Sequence, residues 1–215
     1  MDKDTTTQPI RVEIWADVQC VWCYIGDTRW IRALSRFDGE VEVVHRSFEL
    51  QPSAPVDFDA REYLRSQRGM TPEDQQRVFG AITRVAAAEG LSYDPARIKP
   101  TNSHRALELL HYAESVGMRD AMSKRLYVAY FAEGRHVGQI DELVAMAGEV
   151  GLDPGRVREV LAGGEYVAAV DGDNARARAV GVRGVPFYVI DRYGISGAQS
   201  TEAFVDVLNR VAAQA

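Results

Sequence analysis

Two cysteines lie close together near the start of the chain, and they are the only cysteines among its 215 residues. They form a CxxC motif, Cys20-Val21-Trp22-Cys23. A thiolate can attack a disulfide sulfur, and a second thiol nearby can resolve the mixed disulfide that forms. The spacing therefore predicts thiol–disulfide exchange, with Cys20 as the nucleophile and Cys23 as the resolving thiol. The alternatives are an inert pair in the core and half of a zinc site.

The histidines bear on the zinc alternative. They are His45, His104, His111 and His136. The scattered positions match no standard zinc-finger spacing, and two cysteines are too few for a four-thiolate site. We therefore predict neither a metal site nor a resident cofactor. The same cysteine count excludes the disulfide-dense scaffolds of small secreted proteins.

The overall composition is that of a globular protein. Hydrophobic residues make up 46% of the chain and charged residues 26%, which excludes a disordered or collagen-like chain. The formal net charge of −6 argues against a nucleic-acid partner, because nucleic-acid-binding domains usually carry a basic face. Apolar runs such as Leu143–Ala147 are far shorter than the roughly 20 residues that span a bilayer, so no membrane association is predicted.

The N-terminal residues lack the apolar core of a signal peptide. We therefore expect a cytoplasmic protein with a mobile tail over residues 1–9. In the cytoplasm, glutathione and thioredoxin keep thiols reduced. A purely structural disulfide is disfavoured there, and a redox role for the cysteine pair is favoured.

The cysteines fall between a predicted strand and a predicted helix. Apolar residues alternate along Ile10–Ala16, as in a half-buried strand, and Tyr24–Phe37 has apolar residues at helical spacing. A second strand is predicted over Val41–Phe48, so this part of the chain is expected to form a βαβ unit with a parallel strand pair. Free backbone N–H groups and the helix dipole at a helix N-terminus favour a thiolate. The junction therefore favours a reactive cysteine.

Helix signals fill residues 59–180. Thr71 precedes Pro72 as an N-cap before a first-turn proline, and Asp153 precedes Pro154 in the same way. Further helical segments are Met118–Ala132 and Ile140–Val150. No repeat period is visible, so an irregular helical bundle is predicted.

Strand signals return near residue 181. Val182–Ile190 is rich in β-branched and aromatic residues, Ile195–Ala198 can form a short partner strand, and Ser200 can cap a terminal helix. The order of elements predicts an α/β fold in which one sheet is interrupted by helices. Residues 10–58 and 181–215 would form the sheet unit, and residues 59–180 the helical insertion.

Pro186 lies inside this strand-forming run, where a proline cannot donate to the hydrogen-bond ladder. One explanation is an edge strand with a trans bond. The other is a cis Val185–Pro186 bond, a form found at only about 5–6% of X-Pro bonds in folded proteins. Beside a CxxC motif the cis interpretation is favoured. A cis-proline turn facing the cysteines leaves the backbone of Val185 free to pair with an extended peptide.

Four motifs follow one another over nearly the whole chain. They are Trp15-Ala16-Asp17-Val18-Gln19-Cys20-Val21-Trp22-Cys23-Tyr24-Ile25-Gly26, Asn102-Ser103-His104-Arg105-Ala106, Gly181-Val182-Arg183-Gly184-Val185-Pro186-Phe187 and Ile195-Ser196-Gly197-Ala198-Gln199. In this order they resemble the DsbA-like thioredoxin-fold oxidoreductases, most closely the FrnE type of dithiol–disulfide isomerase. The resemblance runs from about Ile10 to about Ala212.

The resemblance implies a thioredoxin-like fold with a large all-helical insertion, and thiol–disulfide oxidoreductase or isomerase activity. It implies that Cys20 is the nucleophile, Cys23 the resolving thiol and Pro186 the cis-proline. The implied partners are protein or small-molecule thiols and disulfides, with glutathione as a thiol co-substrate. Kappa-class glutathione transferases and 2-hydroxychromene-2-carboxylate isomerases belong to the same superfamily. The alternative is therefore a glutathione-dependent transferase or isomerase acting on a small aromatic substrate.

The chain departs from the family pattern at two positions. Val21 stands where the subgroup usually has proline, in the dipeptide that tunes the redox potential. Ile14 stands six residues before Cys20, where thioredoxin and DsbA carry a buried acid that accepts the proton of the second thiol. Asp17 lies nearer the motif and is our candidate for that proton transfer. The alternative is that Asp17 only caps the loop or the helix.

Four residues are candidates for substrate binding. Trp22 and Tyr24 can form an aromatic rim, with Trp22 the more exposed of the two, and Val185 can offer its backbone to a peptide. A matching asparagine lies by the active site in the glutathione-binding relatives. Asn102 is therefore either a thiol or ligand contact or, like Thr101, only a candidate N-cap for the next helix.

Overall fold

The sheet beside the cysteine motif has four strands. In the computed structural model, which describes residues 8–59, 62, 63, 65, 66 and 69–214, they are β1 (Ile10–Ala16), β2 (Val41–Ser47), β3 (Phe187–Ile190) and β4 (Tyr193–Ser196). Their order in the sheet is β2-β1-β3-β4. β2 runs parallel to β1, whereas β3 is antiparallel to both β1 and β4. The predicted βαβ unit with a parallel strand pair is confirmed.

The helix that connects the parallel strands is α1 (Val21–Leu34). It begins and ends three residues before the predicted Tyr24–Phe37, so Cys20 is its N-cap. The periodicity missed the first turn because residues Cys20–Ile25 are apolar without interruption. In such a run, no polar position marks a helical period.

Helices cover both faces of the sheet. Because side chains alternate along a strand, β1 presents Ile14 to one face and Trp15 to the other. On the Ile14 face, apolar residues of α1 and of the last helix, α8 (Thr201–Ala212), complete a core cluster. On the other face, Trp15 packs with Ala177 of α7 (Val167–Ala179). The sheet therefore lies between two layers of helix.

Between β2 and β3, the described residues contain helices and connecting loops and no strand. The α-helices before α7 are α2 (Pro72–Ala88), α3 (His104–Ser115), α4 (Arg119–Val128), α5 (Ile140–Glu149) and α6 (Pro154–Gly163), and Ala129–Glu133 continues α4 as a π-helical turn. We call residues 72–179 the helical segment. Both predicted caps are present, since Thr71 forms a capping box with Asp74 and Asp153 accepts the Arg156 N–H.

The helical segment packs directly on the start of α1. Cys20, Cys23 and Tyr24 belong to the same core cluster as buried residues of the helical segment such as Leu107 and Leu126. The first turn of α1 therefore contacts the sheet and the helical segment at once. The division of the chain into residues 10–58 with 181–215 and an insertion of residues 59–180 stays a prediction.

The C-terminal strands are shorter than, or shifted from, the predicted ones. β3 begins at Phe187 rather than Val182, because the Val182 N–H bonds to the Ala177 carbonyl at the end of α7 and Pro186 has no N–H to donate. β3 pairs on both sides, so it is not an edge strand. β4 is Tyr193–Ser196 rather than Ile195–Ala198, because the turn after β3 is shorter than predicted.

Ser200 caps the last helix, as the sequence predicts, by accepting the Ala203 N–H. Residues 1–7 of the predicted tail lie outside the described residues, and Gln8 and Pro9 are exposed and precede β1. Within the described part of the chain, no helix is long and apolar enough to cross a membrane.

Candidate active site

Cys20 lies where the turn after β1 enters α1. Its backbone is extended, with φ −90° and ψ 108°, and its carbonyl accepts the N–H groups of Cys23 at 2.9 Å and Tyr24 at 3.2 Å. The strand-to-helix junction expected from the sequence is therefore present. The Cys20 side chain lies at the positive end of the helix dipole, where a negative charge is stabilised.

The two thiols differ in exposure. Both cysteines are free, and Cys20 is 7% exposed whereas Cys23 is 1% exposed. Burial, followed by the hydrogen bond and the charge of Cys20, raises the pKa of the Cys23 thiol well above its usual range. Cys20 is the thiol that an incoming disulfide can reach, and Cys23 is the thiol that retains its proton.

The chain returns to the cysteines at Val185. The Cys20 Sγ donates a hydrogen bond to the Val185 carbonyl at 3.4 Å, and the Val185–Pro186 peptide bond is cis. α1 approaches this turn closely at Gly26, where an added Cβ would lie 3.1 Å from Pro186 Cγ and 2.7 Å from the Tyr188 hydroxyl oxygen. The absence of a side chain at Gly26 therefore lets the CxxC helix pack on Pro186.

Asp17 is fully buried in the turn before Cys20. Its carboxylate accepts backbone N–H groups from Gln19 at 3.1 Å and Leu50 at 2.9 Å. Burial raises the pKa of Asp17 to about 6, and these hydrogen bonds together with Ser103 oppose the rise. Asp17 therefore fixes the loop, as one of the two interpretations expects, and its role in proton transfer stays a prediction.

The aromatic neighbours of the cysteines have different environments. Trp22 is 40% exposed, in agreement with the prediction that it is the more exposed of the pair. Tyr24 is 7% exposed, and its ring stacks on Tyr127 and Phe131 at centroid distances of 5.2 and 5.7 Å. The aromatic rim expected from both residues is therefore reduced to Trp22, because the helical segment covers the first turn of α1.

Asn102 holds a loop against the start of α3. Its Oδ1 accepts the His104 N–H at 2.9 Å, and its Nδ2 donates to the carbonyls of Pro52 and Ala54 at 3.2 and 3.3 Å. The residue preceding the helix is Ser103, whose side chain makes no capping bond, so Asn102 caps from one position farther out. These contacts favour the capping interpretation of Asn102.

A small cavity lies behind Cys23, on the side of the sheet that faces α1. Its volume is about 20 Å³, room for about one water molecule, and we call it the Cys23 cavity. The polar residues that line it with Cys23 are Asp27, His45, Arg119, Ser123, Tyr127 and Tyr188. The sequence did not predict Asp27, His45 and Arg119 as neighbours of the thiols, because they come from three separate elements. One signal was available, since Asp27 follows Cys23 by four residues and shares its helix face.

A larger cavity adjoins the opposite side of the motif. It measures about 240 Å³, and Gln19 and Val21, the neighbours of Cys20, form part of its wall. Its other walls are mainly apolar and aromatic, with Phe58, Phe79, Ile82, Tyr93, Ile98 and Phe131 among them. We call it the apolar cavity. A hydrophobic group bound there would contact the two residues that flank Cys20 in the sequence.

One cluster offers donors of the kind that metals bind. Glu49, His104 and Asp171 each place one donor atom within 4.8 Å of the others. His104 Nδ1 already contacts Glu49 Oε1 at 3.3 Å, and the other Glu49 oxygen accepts from Asn174 at 2.9 Å. Glu49 and His104 are thus engaged by the protein, Asp171 is exposed, and the cysteines are not part of the cluster.

The sequence matches a family model over residues 11–209, and that family is described as the DsbA-like thioredoxin domain. The chain belongs to the DsbA-like thioredoxin domain family. The expectation of a thioredoxin-like α/β fold with intervening helices is confirmed. The CxxC motif of this DsbA-like domain stands at the start of its first helix.

Solved structures agree with this assignment. A crystal structure of a probable DsbA oxidoreductase from Streptomyces coelicolor superposes with a TM-score of 0.90 at 38% identity, covering 96% of this chain and 91% of that one. The cytosolic disulfide reductase DsbM from Pseudomonas aeruginosa, in its structure with GSH, has a TM-score of 0.63 at 18% identity, covering 95% and 96%. The second similarity shows the shared fold alone.

A sequence relative covers the same span. The uncharacterized protein YwbO of Bacillus subtilis (strain 168) is 25% identical over 197 residues, which are 91% of this chain and 94% of that protein. The family match over residues 11–209 likewise includes both the sheet and the helical segment.

Proposed function

We propose that this DsbA-like protein is a dithiol–disulfide oxidoreductase in which Cys20 attacks a substrate disulfide and Cys23 resolves the intermediate. The observation that carries the proposal is the position of the Cys20 Sγ at the N-terminus of α1, 3.4 Å from the carbonyl of Val185. A substrate sulfur approaching Cys20 would meet the backbone of Val185 beside it. That backbone can then align an extended substrate.

The reaction proceeds in two exchanges. The Cys20 thiolate attacks one sulfur of the substrate, the substrate S–S bond breaks, and one substrate thiolate leaves and takes a proton from solvent. Cys23, once deprotonated, attacks Cys20, so the mixed disulfide breaks and the Cys20–Cys23 disulfide forms. The substrate is reduced by two electrons and the cysteine pair is oxidised by two. With the same steps in reverse, the oxidised cysteine pair oxidises a substrate dithiol to a disulfide. If another thiol of the substrate, rather than Cys23, attacks the mixed disulfide, Cys20 is released and the substrate disulfide is rearranged.

The proposal includes glutathione as the thiol that returns the pair to the dithiol state. Two molecules of glutathione supply the two electrons and leave as glutathione disulfide, a balance that the reducing cytoplasm maintains. The supporting observation is indirect: DsbM, a protein of the same fold, was solved with GSH. The cytoplasm is accordingly the compartment we propose for this activity.

The proposed substrates carry a bulky apolar or aromatic group next to the disulfide. The apolar cavity of about 240 Å³ lies beside Gln19 and Val21, so a group held there would place its sulfur near Cys20. Trp22, exposed on the same turn, can cover that group by aromatic contact. On this proposal, the helical segment selects what reaches the thiols.

A turnover assay tests the function. The wild-type protein should catalyse the reduction of insulin by glutathione, with glutathione reductase and NADPH reporting the glutathione disulfide formed. Cys20→Ser should reduce turnover to the uncatalysed rate, and Asp38→Asn, a change on a remote loop, should leave it unchanged. Wild-type turnover no faster than glutathione alone, with both insulin and an aromatic disulfide, would refute the proposal.

A further inference from the structure

Cys23 must lose a proton before it can resolve a mixed disulfide. Its thiol is 1% exposed and its pKa is raised by burial and by Cys20, so water does not remove that proton directly. An acceptor must therefore lie inside the protein, and it must pass the proton to solvent. At the position where thioredoxin and DsbA carry a buried acid, this chain has the apolar Ile14.

Three observations single out the Cys23 cavity for this task. Cys23 and Asp27 are four residues apart on α1, so both side chains lie on the same helix face. Both line the cavity of about 20 Å³, which can hold about one water and offers polar groups to bind it. Ile14 lines the same cavity, and in the sheet register it pairs with His45, another wall of the cavity. Around Ile14, where thioredoxin and DsbA have a buried acid, the cavity is therefore lined by polar groups from α1, β2 and α4.

Asp27 differs from Asp17 in its access to solvent and in its bonds. Asp17 is fully buried, and each of its oxygens accepts a backbone N–H group. Asp27 is partly exposed as a residue and lines the Cys23 cavity, which Asp17 does not line. A group that takes a proton from Cys23 and passes it to solvent needs contact with that cavity and a short path to the surface, and Asp27 meets both conditions better than Asp17 does.

The charged and titratable groups around Asp27 favour its role as acceptor. Burial raises the pKa of Asp27 to about 6, the charge of Asp120 adds to the rise, and Arg119 opposes it. Burial, assisted by the charge of Arg119, lowers the pKa of His45 to about 3, so the imidazole stays neutral and is a poor base. Burial raises the pKa of the phenols Tyr127 and Tyr188 well above the usual range, so they stay protonated.

The geometry points to Asp27 as the proton acceptor for Cys23, acting through the Cys23 cavity. This inference deepens the proposed function and rests on it. The proton leaves Cys23 Sγ, crosses one cavity water and arrives on the Asp27 carboxylate. The resulting thiolate attacks Cys20 of the mixed disulfide, the Cys20–Cys23 bond forms, and the substrate thiol departs. Asp27 then releases its proton at the surface, so it acts through water and never touches the reacting sulfurs.

A single-turnover experiment separates this step from the first attack. The reduced protein is mixed with an equimolar amount of the chromogenic aromatic disulfide dithiobis(nitrobenzoate). The first nitrothiobenzoate is released when Cys20 attacks, and the second when Cys23 resolves. Cys23→Ser should release only the first, which assigns the two phases.

Asp27→Asn should slow the second phase about a hundredfold at neutral pH, a loss at the low end of what general-base catalysis supplies. It should leave the first phase within about twofold, and it should remove the fall of the second-phase rate below about pH 6. Asp27→Glu, which keeps a carboxylate, should recover part of the rate. The matched control is Asp120→Asn, because Asp120 is exposed and carries the same charge near Asp27 without lining the cavity.

Two results would overturn the inference. One is an unchanged second phase in Asp27→Asn, above all if Asp17→Asn slows it instead, since the proton would then leave through Asp17. The other is an equal loss in both phases, which would indicate a general change in the site. The single-turnover experiment needs only the two thiols of the protein and the chromogenic disulfide. Its result therefore stays valid if insulin turnover fails. Failure of turnover with an intact second phase would refute the proposed function alone.

Discussion

His45 and Arg46 are neighbours on β2, yet their side chains enter two different polar clusters. Successive residues of a strand point to opposite faces of the sheet. His45 lines the Cys23 cavity with Asp27 of α1, whereas Arg46 donates to Asp173 of α7 at 3.0 Å. One strand therefore supports the chemistry of the thiols on one face and an ion-pair network on the other.

On the α7 face, each buried carboxylate has an arginine partner. Arg176 donates two hydrogen bonds of 2.8 Å to Glu13, and Asp173 accepts from Arg46 and from the Ser47 N–H. The hydrogen bond from Arg176 is the largest cause of a lowered pKa of Glu13. Burial acts to raise the pKa of Asp173, but the bonds from His111, Ser47 and Arg46 outweigh it and lower that pKa. We call these residues the carboxylate–arginine network.

The comparison shows what decides the role of a buried acid. In the carboxylate–arginine network each carboxylate has a cationic partner at hydrogen-bond distance, so it stays charged and holds elements together. In the Cys23 cavity, Arg119 forms its ion pair with Glu114 at 3.7 Å, and burial raises the pKa of Asp27. A buried carboxylate without a cation at hydrogen-bond distance has a raised pKa and can accept a proton. A buried carboxylate with such a cation stays charged and links structural elements.

The largest effect on stability is expected in the carboxylate–arginine network. Asp173→Ala leaves Arg46 and the Ser47 N–H without their acceptor and should lower the free energy of unfolding by about 3 kcal/mol. Urea denaturation measures this change. Glu165→Ala, which breaks an exposed pair with Arg156, is the matched control and should change stability little. Asp173→Ala should leave the second phase of the single-turnover reaction intact, and a slowed phase would break the distinction between the faces.

The next largest effect is expected where α1 meets Pro186. Gly26→Ala places a methyl group 2.7 Å from the Tyr188 hydroxyl oxygen, and should cost about 1–3 kcal/mol of stability by overpacking. It should also slow attack by Cys20, because α1 has to move away from Val185. Gly172→Ala makes the same change on α7 with no atom within 4 Å and should be neutral or slightly stabilising. Equal effects of the two substitutions would contradict this packing.

A smaller effect is expected from pH. An unfolded aspartate has a pKa of about 3.9, so folding raises the pKa of Asp27 and its deprotonation opposes folding as pH rises through about 6. Asp27→Asn should therefore stabilise the protein at about pH 7.5, by about 1 kcal/mol after allowance for partial exposure, and not at about pH 4. Glu13 and Asp173, with lowered pKa values, contribute stability that is lost as pH falls below about 4.

Urea titrations of the wild type and of Asp27→Asn at both pH values measure this difference. A variant whose gain in stability does not change between about pH 7.5 and about pH 4 would contradict the assignment of a raised pKa to Asp27.

The smallest effect on stability is expected at Trp22. Its ring is 40% exposed, so Trp22→Ala should change the free energy of unfolding by less than about 0.5 kcal/mol. If Trp22 covers a group in the apolar cavity, KM for an aromatic disulfide should rise several-fold while kcat changes little. Val167→Ala, at an exposed site in the helical segment, serves as the control. An unchanged KM would remove Trp22 from substrate binding.

Local patterns predicted much of this fold because they depend on neighbouring residues. Alternation along Ile10–Ala16 gave the bounds of β1, and the Thr71 capping box and the Ser200 cap mark real helix starts. The CxxC pair was correctly placed at the strand-to-helix junction for the same reason. These features need no knowledge of the rest of the chain.

Features that depend on distant contacts could not be predicted from local patterns. Tyr24 was predicted to form an aromatic rim with Trp22, but Tyr127, about a hundred residues away, stacks on its ring. The Cys23 cavity requires β2, α1 and α4 to meet, and spacing along the chain does not encode that meeting. The sequence shows that Ile14 replaces the buried acid of thioredoxin and DsbA. That His45 lies beside Ile14 follows only from the pairing of β1 with β2.

The central claim is that Cys20 attacks and Cys23 resolves, and trapping of the mixed disulfide tests it most directly. Cys23→Ser and Cys20→Ser are each incubated with oxidised glutathione and examined by intact-mass spectrometry. We expect a stable glutathione adduct on Cys20 in Cys23→Ser and no adduct formed at a comparable rate on the buried Cys23 in Cys20→Ser. Adduct formation on Cys23 as fast as on Cys20 would contradict the account.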